Sequence, residues 1–279
     1  MGSPLRFAIM WPESDVVSRE GLREGGSPWL LTFADGRQAV LNDRGPFDTE
    51  VAALTAAAEH GVPAPRVLDL GDQGLLMSVV VGTSKIPRTP SPTRLHALGV
   101  AAAKIHAVEL APTKDLPVRR RPIEGEDFEA WRAREGASPL LLAAAQAVRE
   151  RRVPPHPTVL LHGDLWQGNT MWHDGELTAV VDWDCAGVGH PGVDFGELRC
   201  EVNLMYGAEA ADLVLAGWQD EAGRSAPDLA YWDVVASLST PPDVSAWLAV
   251  AADQGRDDLD GPTLNARRDE FLEAALSRL

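Results

Sequence analysis

The chain has 279 residues, 45% hydrophobic and 24% charged, enough to bury a sizeable core as one large domain or two smaller lobes. It holds no run of about 18 apolar residues and no leader-like N-terminus, so it reads as a cytoplasmic globular protein without a membrane partner. The net charge of −16 falls wholly after residue 163, where 22 acids face 6 Arg and no Lys, a balance that disfavours nucleic acid and favours cationic ligands.

In chain order, residues 18–26 and 28–36 read as strands joined through Gly25-Gly26, and Asp35-Gly36 turns the second into a third, RQAVLND. Residues 48–60 place Val51, Leu54, Ala57 and Ala58 at helical spacing and stop at Gly61. Two more strands follow, 63–71 and 74–82. The sum is a five-stranded antiparallel sheet with one inserted helix. After Gly82 the stretch TSKIPRTPSPT marks a boundary, giving an N-lobe of 1–82 and a C-lobe of 83–279. Helices are expected over 93–108, 126–135, 138–152, 195–222 (broken near Gly207), 227–239, 242–254 and 263–278. The class is α+β, with strands in the second half only at 161–184. Cys185 and Cys200 lack C-x-x-C spacing, so neither a disulfide framework nor a zinc ribbon is expected.

The stretch 161–184, LHGDLWQGNTMWHDGELTAVVDWD, carries the chemistry. Asp174-Gly175 is a strong hairpin signal, and folding about it pairs 173 with 176 and 169 with 180. Asp182 then shares a face with Asn169, while Asp164 precedes them in a loop loosened by Gly163 and Gly168. Oxygen-only ligands suit Mg²⁺, which takes few protein ligands and leaves positions for water and phosphates. Asn169 and Asp182 suffice for that, leaving Asp164 to orient a hydroxyl and take its proton. An isolated H-G-D could equally be an Asx-capped turn; the amide and the second acid at the hairpin's far end favour the chemical reading.

His162-Gly163-Asp164-x-x-x-x-Asn169, then Val181-Asp182-Trp183-Asp184 and Gly189-His190-Pro191-x-x-Asp194, resembles the aminoglycoside phosphotransferase family. These are small-molecule kinases with a bilobal protein-kinase-like fold. The resemblance implies ATP (or GTP) and Mg²⁺ as cofactors, Asp164 as catalytic base, Asn169 and Asp182 as metal ligands, and His162 and Asp194 as braces of the catalytic loop. The literal Asp194-Phe195-Gly196 is then not the metal-holding tripeptide of protein kinases, since Asp182 ends the hairpin. On the nucleotide side the resemblance implies a phosphate-covering loop at Gly25, Gly26 and Ser27. It also implies a helix glutamate at Glu50, and a hinge at Met77, Ser78 and Val80.

One expected group is missing. The family's third strand usually ends in a Lys or Arg that pairs with the helix glutamate, and here it ends Val40-Leu41-Asn42. Asn42 donates a hydrogen bond but carries no charge. Arg44, on the same strand face, or Arg37 or Lys85 could supply the cation. If none does, a kinase-like binding protein with weak or no catalysis is the alternative.

The acceptor should meet the acidic helices after Asp194. Asp184, His190, Glu197, Glu201 and Asp233, with indoles of Trp218, Trp232 or Trp247, would suit a cationic, hydroxyl-bearing molecule such as an aminoglycoside-like or peptide antibiotic or an amino sugar. Homoserine or choline is a further acceptor reading. A metallohydrolase using His162, Asp164, Asp182 and His190 is a third function. Monomer and homodimer are both compatible.

Overall fold

A computed structural model describes residues 15–23, 26–123, 125–153 and 155–279, so Gly25 of the expected phosphate loop lies outside the described residues. Strands β1 (Val16–Arg23), β2 (Gly26–Phe33), β3 (Gln38–Asn42), β4 (Val67–Gly71) and β5 (Gly74–Ser78) form one antiparallel sheet in the order β1-β2-β3-β5-β4. Period two decides which face each residue serves. On β5, Leu76 joins Leu31, Phe33, Ala39 and Leu41 on one side, while Leu75 and Met77 point to the large core on the other. Helix α1 (Asp48–Glu59) lies on that second side and buries Glu50, Ala53, Leu54 and Ala57, a stripe at helical spacing. β1 is almost wholly exposed, as an edge strand with little core to cover can be.

The rest is mainly helical: α2 (Pro92–His106), α3 (Phe128–Glu135), α4 (Pro139–Glu150), α5 (Gly192–Tyr206), α6 (Ala208–Ala222), α7 (Leu229–Leu238), α8 (Leu248–Asp253) and α9 (Gly261–Leu276). Ser91, Asp127, Ser138 and Asp260 cap α2, α3, α4 and α9 through side-chain acceptors. α2 and α6 cross at glycines: a Cβ on Gly99 would sit 2.0 Å from the Val214 carbonyl, and one on Gly217 2.0 Å from that of His96. α5 is buried on every side from Gly192 to Met205, which makes it the central helix of this part.

Three short strands were not all expected. β6 (Val118–Arg119), β7 (Val159–Leu161) and β10 (Gly187–Gly189) form a small sheet in the order β6-β10-β7, too short to give a readable alternation. The Asp174-Gly175 hairpin is present as β8 (Thr170–His173) and β9 (Glu176–Val180), with His173 opposite Glu176. Its register slips by one between Met171 and Trp172, so Thr170, not residue 169, faces Val180. Asn169 closes a 3₁₀ turn, Gln167–Asn169, and its carbonyl accepts from Val181 N–H at 2.8 Å.

Candidate active site

The loop 162–169 is held by one face of α5. Asp194, Glu197 and Glu201, spaced three and four apart, point the same way along that helix. Asp194 is fully buried, and its two oxygens accept the backbone N–H groups of His162 at 2.7 Å and Gly163 at 2.9 Å. Glu197 accepts from Leu165 N–H at 3.0 Å, and Glu201 from the Gln167 amide at 3.2 Å. Three acids thus hold successive parts of one loop. Gly163, at φ +85°, passes so close to residue 185 that a Cβ would lie 2.1 Å from the Cys185 carbonyl.

Within that loop the Asn169 amide donates to the Asp164 carbonyl at 2.9 Å and to its carboxylate at 3.0 Å. His162 accepts from Asp164 N–H at Nδ1, 3.3 Å, and donates from Nε2 to the Val181 carbonyl, 2.9 Å. Burial raises the Asp164 pKa above the usual carboxylate value, and repulsion from Asp182 and Asp184 adds to that, while His162 and Asn169 oppose it. Asp182 sits at φ +70° just past β9. With its nitrogen engaged by Asp164, Asn169 has its amide oxygen to offer, and Asp182 adds a carboxylate. This oxygen pair fits a hard cation that fills its other positions with water and phosphate.

The two-metal hydrolase reading does not fit. Both ring nitrogens of His162 are engaged, and His190 lies elsewhere. No group of three or more His, Cys, Asp or Glu among the described residues is placed to hold a metal. Cys185 has its thiol pKa pushed up to about 12, mainly by burial, so it is no nucleophile at neutral pH.

On the sheet side, Asn42 meets Glu50: its amide donates to Oε2 at 3.1 Å, and its own oxygen accepts from Arg44 N–H at 3.1 Å. Asn42 therefore stands where a cation was expected, and β3 ends there, so Arg44 is not on the strand face. Burial pushes the Glu50 pKa up to about 7. Gly26 has φ +102°, and a Cβ there would meet the Trp29 ring at 2.4 Å. The Ser27 hydroxyl is buried and accepts from Asp43 N–H at 3.4 Å. Met77 is buried opposite Val40, Ser78 ends β5, and the segment that follows ties to β9 through Thr178 Oγ1, which donates to the Val81 carbonyl at 2.8 Å. Sequence reasoning missed Arg23. From the end of β1 its guanidinium donates to Asp182 Oδ2 at 2.8 Å, 159 residues away in the chain.

Beside Asp164 opens a cavity of about 370 Å³, walled by Phe128, Trp131, Trp166 and Trp247, with Glu197 and Glu201 at its inner side. The buried Trp131 Nε1 has no hydrogen-bond partner among the described residues. The acceptor residues inferred from sequence divide here. Trp247 lines the cavity, whereas Trp218 and Trp232 are packed in the core. Asp184 is exposed and repels both Asp164 and Glu50. Glu197 and Glu201 reach the cavity but are buried and occupied by the loop, and burial raises both pKa values. Asp233 is not at the site: it is fully buried against Arg199, at 3.1 and 3.2 Å. His190 is also structural, stacked on Trp232 at 4.7 Å and accepting from Gly192 N–H at the start of α5. Burial lowers its pKa to about 3, leaving it neutral.

Glu201 yields a pH prediction. Its pKa rises from the usual 4.5 to about 7 in the folded protein. Between those values the folded state keeps a proton that the unfolded chain releases, so stability falls as pH rises from about 4.5 to about 7. Glu201→Gln keeps an acceptor for the Gln167 amide and removes that loss. Thermal melts should show the variant gaining on wild type by on the order of 3 kcal/mol at pH 8 and by much less at pH 4.5. A gain independent of pH would refute the assignment.

The antiparallel sheet, the helical body and the Asp164–Asn169 loop together define a kinase-like phosphotransferase acting on small molecules. Residues 13–237 match the phosphotransferase enzyme family APH, and the chain belongs to it. It is 30% identical over 242 residues to viomycin phosphotransferase of Streptomyces vinaceus, covering 74% of this chain and 80% of that one. Among solved structures it superposes with a thermostable mutant of aminoglycoside phosphotransferase APH(4)-Ia in complex with AMP-PNP and hygromycin B (TM-score 0.62, 18% identity, 94% and 95% of the two chains). It also superposes with macrolide 2'-phosphotransferase MphH of Brachybacterium faecium (TM-score 0.56, 21% identity, 93% and 91%). No helix among the described residues is long and apolar enough to cross a membrane.

Proposed function

We propose that this protein transfers the γ-phosphoryl group of ATP, bound with Mg²⁺, to a hydroxyl of a small molecule. The observation that carries the reading is the braced loop: Asp164, with its pKa raised and its carboxylate fixed by Asn169 at 3.0 Å, borders the cavity where an acceptor would enter. Asp164 would take the proton of the acceptor hydroxyl as the acceptor oxygen bonds to the γ-phosphorus, while the bond from that phosphorus to the β–γ bridging oxygen breaks and ADP leaves. Asn169 keeps that carboxylate aimed, and with Asp182 would hold the metal. Bound Mg²⁺ supplies charge neutralisation on the phosphates. Gly26 and Ser27 would contact the phosphates through their backbone, Asn42 and Glu50 would lie on the phosphate side, and the segment from Met77 to Val80 would take the base. The division of labour is a lobe of residues 1–82 for nucleotide and one of 83–279 for metal and acceptor.

The cavity favours an acceptor with an apolar, ring-bearing body. The acids expected to attract a polycation hold the loop or Arg199, which leaves Glu126 in the cavity wall for at most a local positive charge. Antibiotics named for the relatives, viomycin and hygromycin B among them, are the first acceptors to try. The test is ADP release from Mg-ATP and Mg-GTP with viomycin, hygromycin B, a macrolide, choline and homoserine. Acceptor-dependent release with ATP is expected. Failure of every acceptor, together with no Mg-nucleotide binding at millimolar concentration, would instead favour the binding-protein reading that Asn42 raises.

A further inference from the structure

The cleft gathers carboxylates and lacks the usual cation. Asp182 and Asp184 repel both Asp164 and Glu50 across it, and the β3 position facing Glu50 holds the neutral Asn42. A nucleoside triphosphate brings more negative charge into this field, and one divalent ion does not cancel it. Two cations considered from sequence are committed elsewhere. Arg37 Nε lies 2.6 Å from Asp35 at the opposite end of the β2–β3 turn, and Lys85 donates to the Asp253 carbonyl.

Arg23 is differently placed. It is the last residue of β1, paired with Gly26, which with Gly25 and Ser27 was read as the phosphate cover. From there it spans to Asp182 at 2.8 Å, joining the N-terminal sheet to the metal-holding end of the β8–β9 hairpin. Its side chain is 60% exposed, so no core packing fixes it in this one pairing. A guanidinium is a planar fork with donors on both edges, able to serve a carboxylate and a phosphate oxygen in turn or together.

We propose that Arg23 supplies, from the opposite wall of the cleft, the positive charge that Asn42 lacks: it holds Asp182 when no nucleotide is present and binds a triphosphate oxygen when one is. The inference rests on the kinase reading above and moves the phosphate-binding cation from β3 to β1. A charge there is open to solvent, which makes nucleotide affinity more salt-sensitive than a buried lysine would.

The test is calorimetric titration of Mg-AMP-PNP, which reads binding without turnover, into wild type, Arg23→Ala, Arg23→Lys, Asn42→Lys and the Arg23→Ala/Asn42→Lys double variant. Arg23→Ala should fold with an unchanged melting temperature, bind about tenfold more weakly, roughly 1.4 kcal/mol, and lose much of the salt dependence of wild type. Arg23→Lys should fall between. Asn42→Lys should tighten binding, and should rescue Arg23→Ala by restoring a cation beside Glu50. Affinity within twofold of wild type for Arg23→Ala at low salt would overturn the proposal while leaving the kinase reading intact. Absence of Mg-AMP-PNP binding by wild type would overturn both.

Discussion

Replacing Asp164 by Ala should lower acceptor-dependent phosphoryl transfer by about 10²–10⁴-fold, the range for removing a positioned general base, while Mg-AMP-PNP binds within about twofold of wild type. The separation follows from where the carboxylate sits. It borders the acceptor cavity and is aimed by the Asn169 amide, and the proposed metal ligands are Asn169 and Asp182, not Asp164. Stability should hold or rise slightly, because the substitution removes a partly desolvated acid repelled by Asp182 and Asp184. Single-turnover kinetics and calorimetry on the same preparation check both halves. Parallel loss of binding and turnover would mean that Asp164 is a ligand of the metal–nucleotide complex and that another group takes the proton.

The second large effect is on folding. Asp233→Ala should destabilise the protein by about 3–5 kcal/mol, because it strands the Arg199 guanidinium in the interior. That side chain is 2% exposed and its partner carboxylate fully buried, with bidentate contacts at 3.1 and 3.2 Å and a further donation to the Ala211 carbonyl at 2.7 Å. Removing both charges together, as Arg199→Met/Asp233→Leu, should recover most of the loss, since a buried pair gains little over apolar residues of similar size. Denaturant melts give the stability, and KM for the acceptor measured below the melting range should not change. A raised KM with normal stability would return Asp233 to the acceptor site, where its sequence position after Tyr231-Trp232 first placed it.

That contrast shows what patterning can and cannot reveal. The Asp-Gly turn, the spacing of Asp164 to Asn169 and the acid at the hairpin's far end are local, and the local rules of strand and turn bring them to one loop and one ribbon. Asn42 was singled out through the family resemblance, and its amide does meet Glu50, at 3.1 Å. The one-residue slip in β8–β9 was not legible, because the extra residue, Thr178, is stabilised by contacts to Met171 and to Val81, far back in the chain.

Of the α5 acids, Asp194 was read as a brace of the loop, but Glu197 and Glu201 were read as acceptor-binding. Their spacing placed them on one helix face, but not what that face meets. By charge alone they look like a cation trap; packed under residues 162–167 they are acceptors for backbone and amide N–H groups that would otherwise be buried without partners. Arg23 and the aromatic cavity were silent in the sequence, since each depends on segments more than a hundred residues apart meeting. The sequence by itself determined the fold class and the nearness of Asp164, Asn169 and Asp182, because short-range periodicity and turn chemistry encode them; the neutral residue at the end of β3 stood out only through the family resemblance. Only the tertiary structure decided which acids are already engaged and which cation reaches Asp182, because burial and long-range partners set the charge and availability of a side chain.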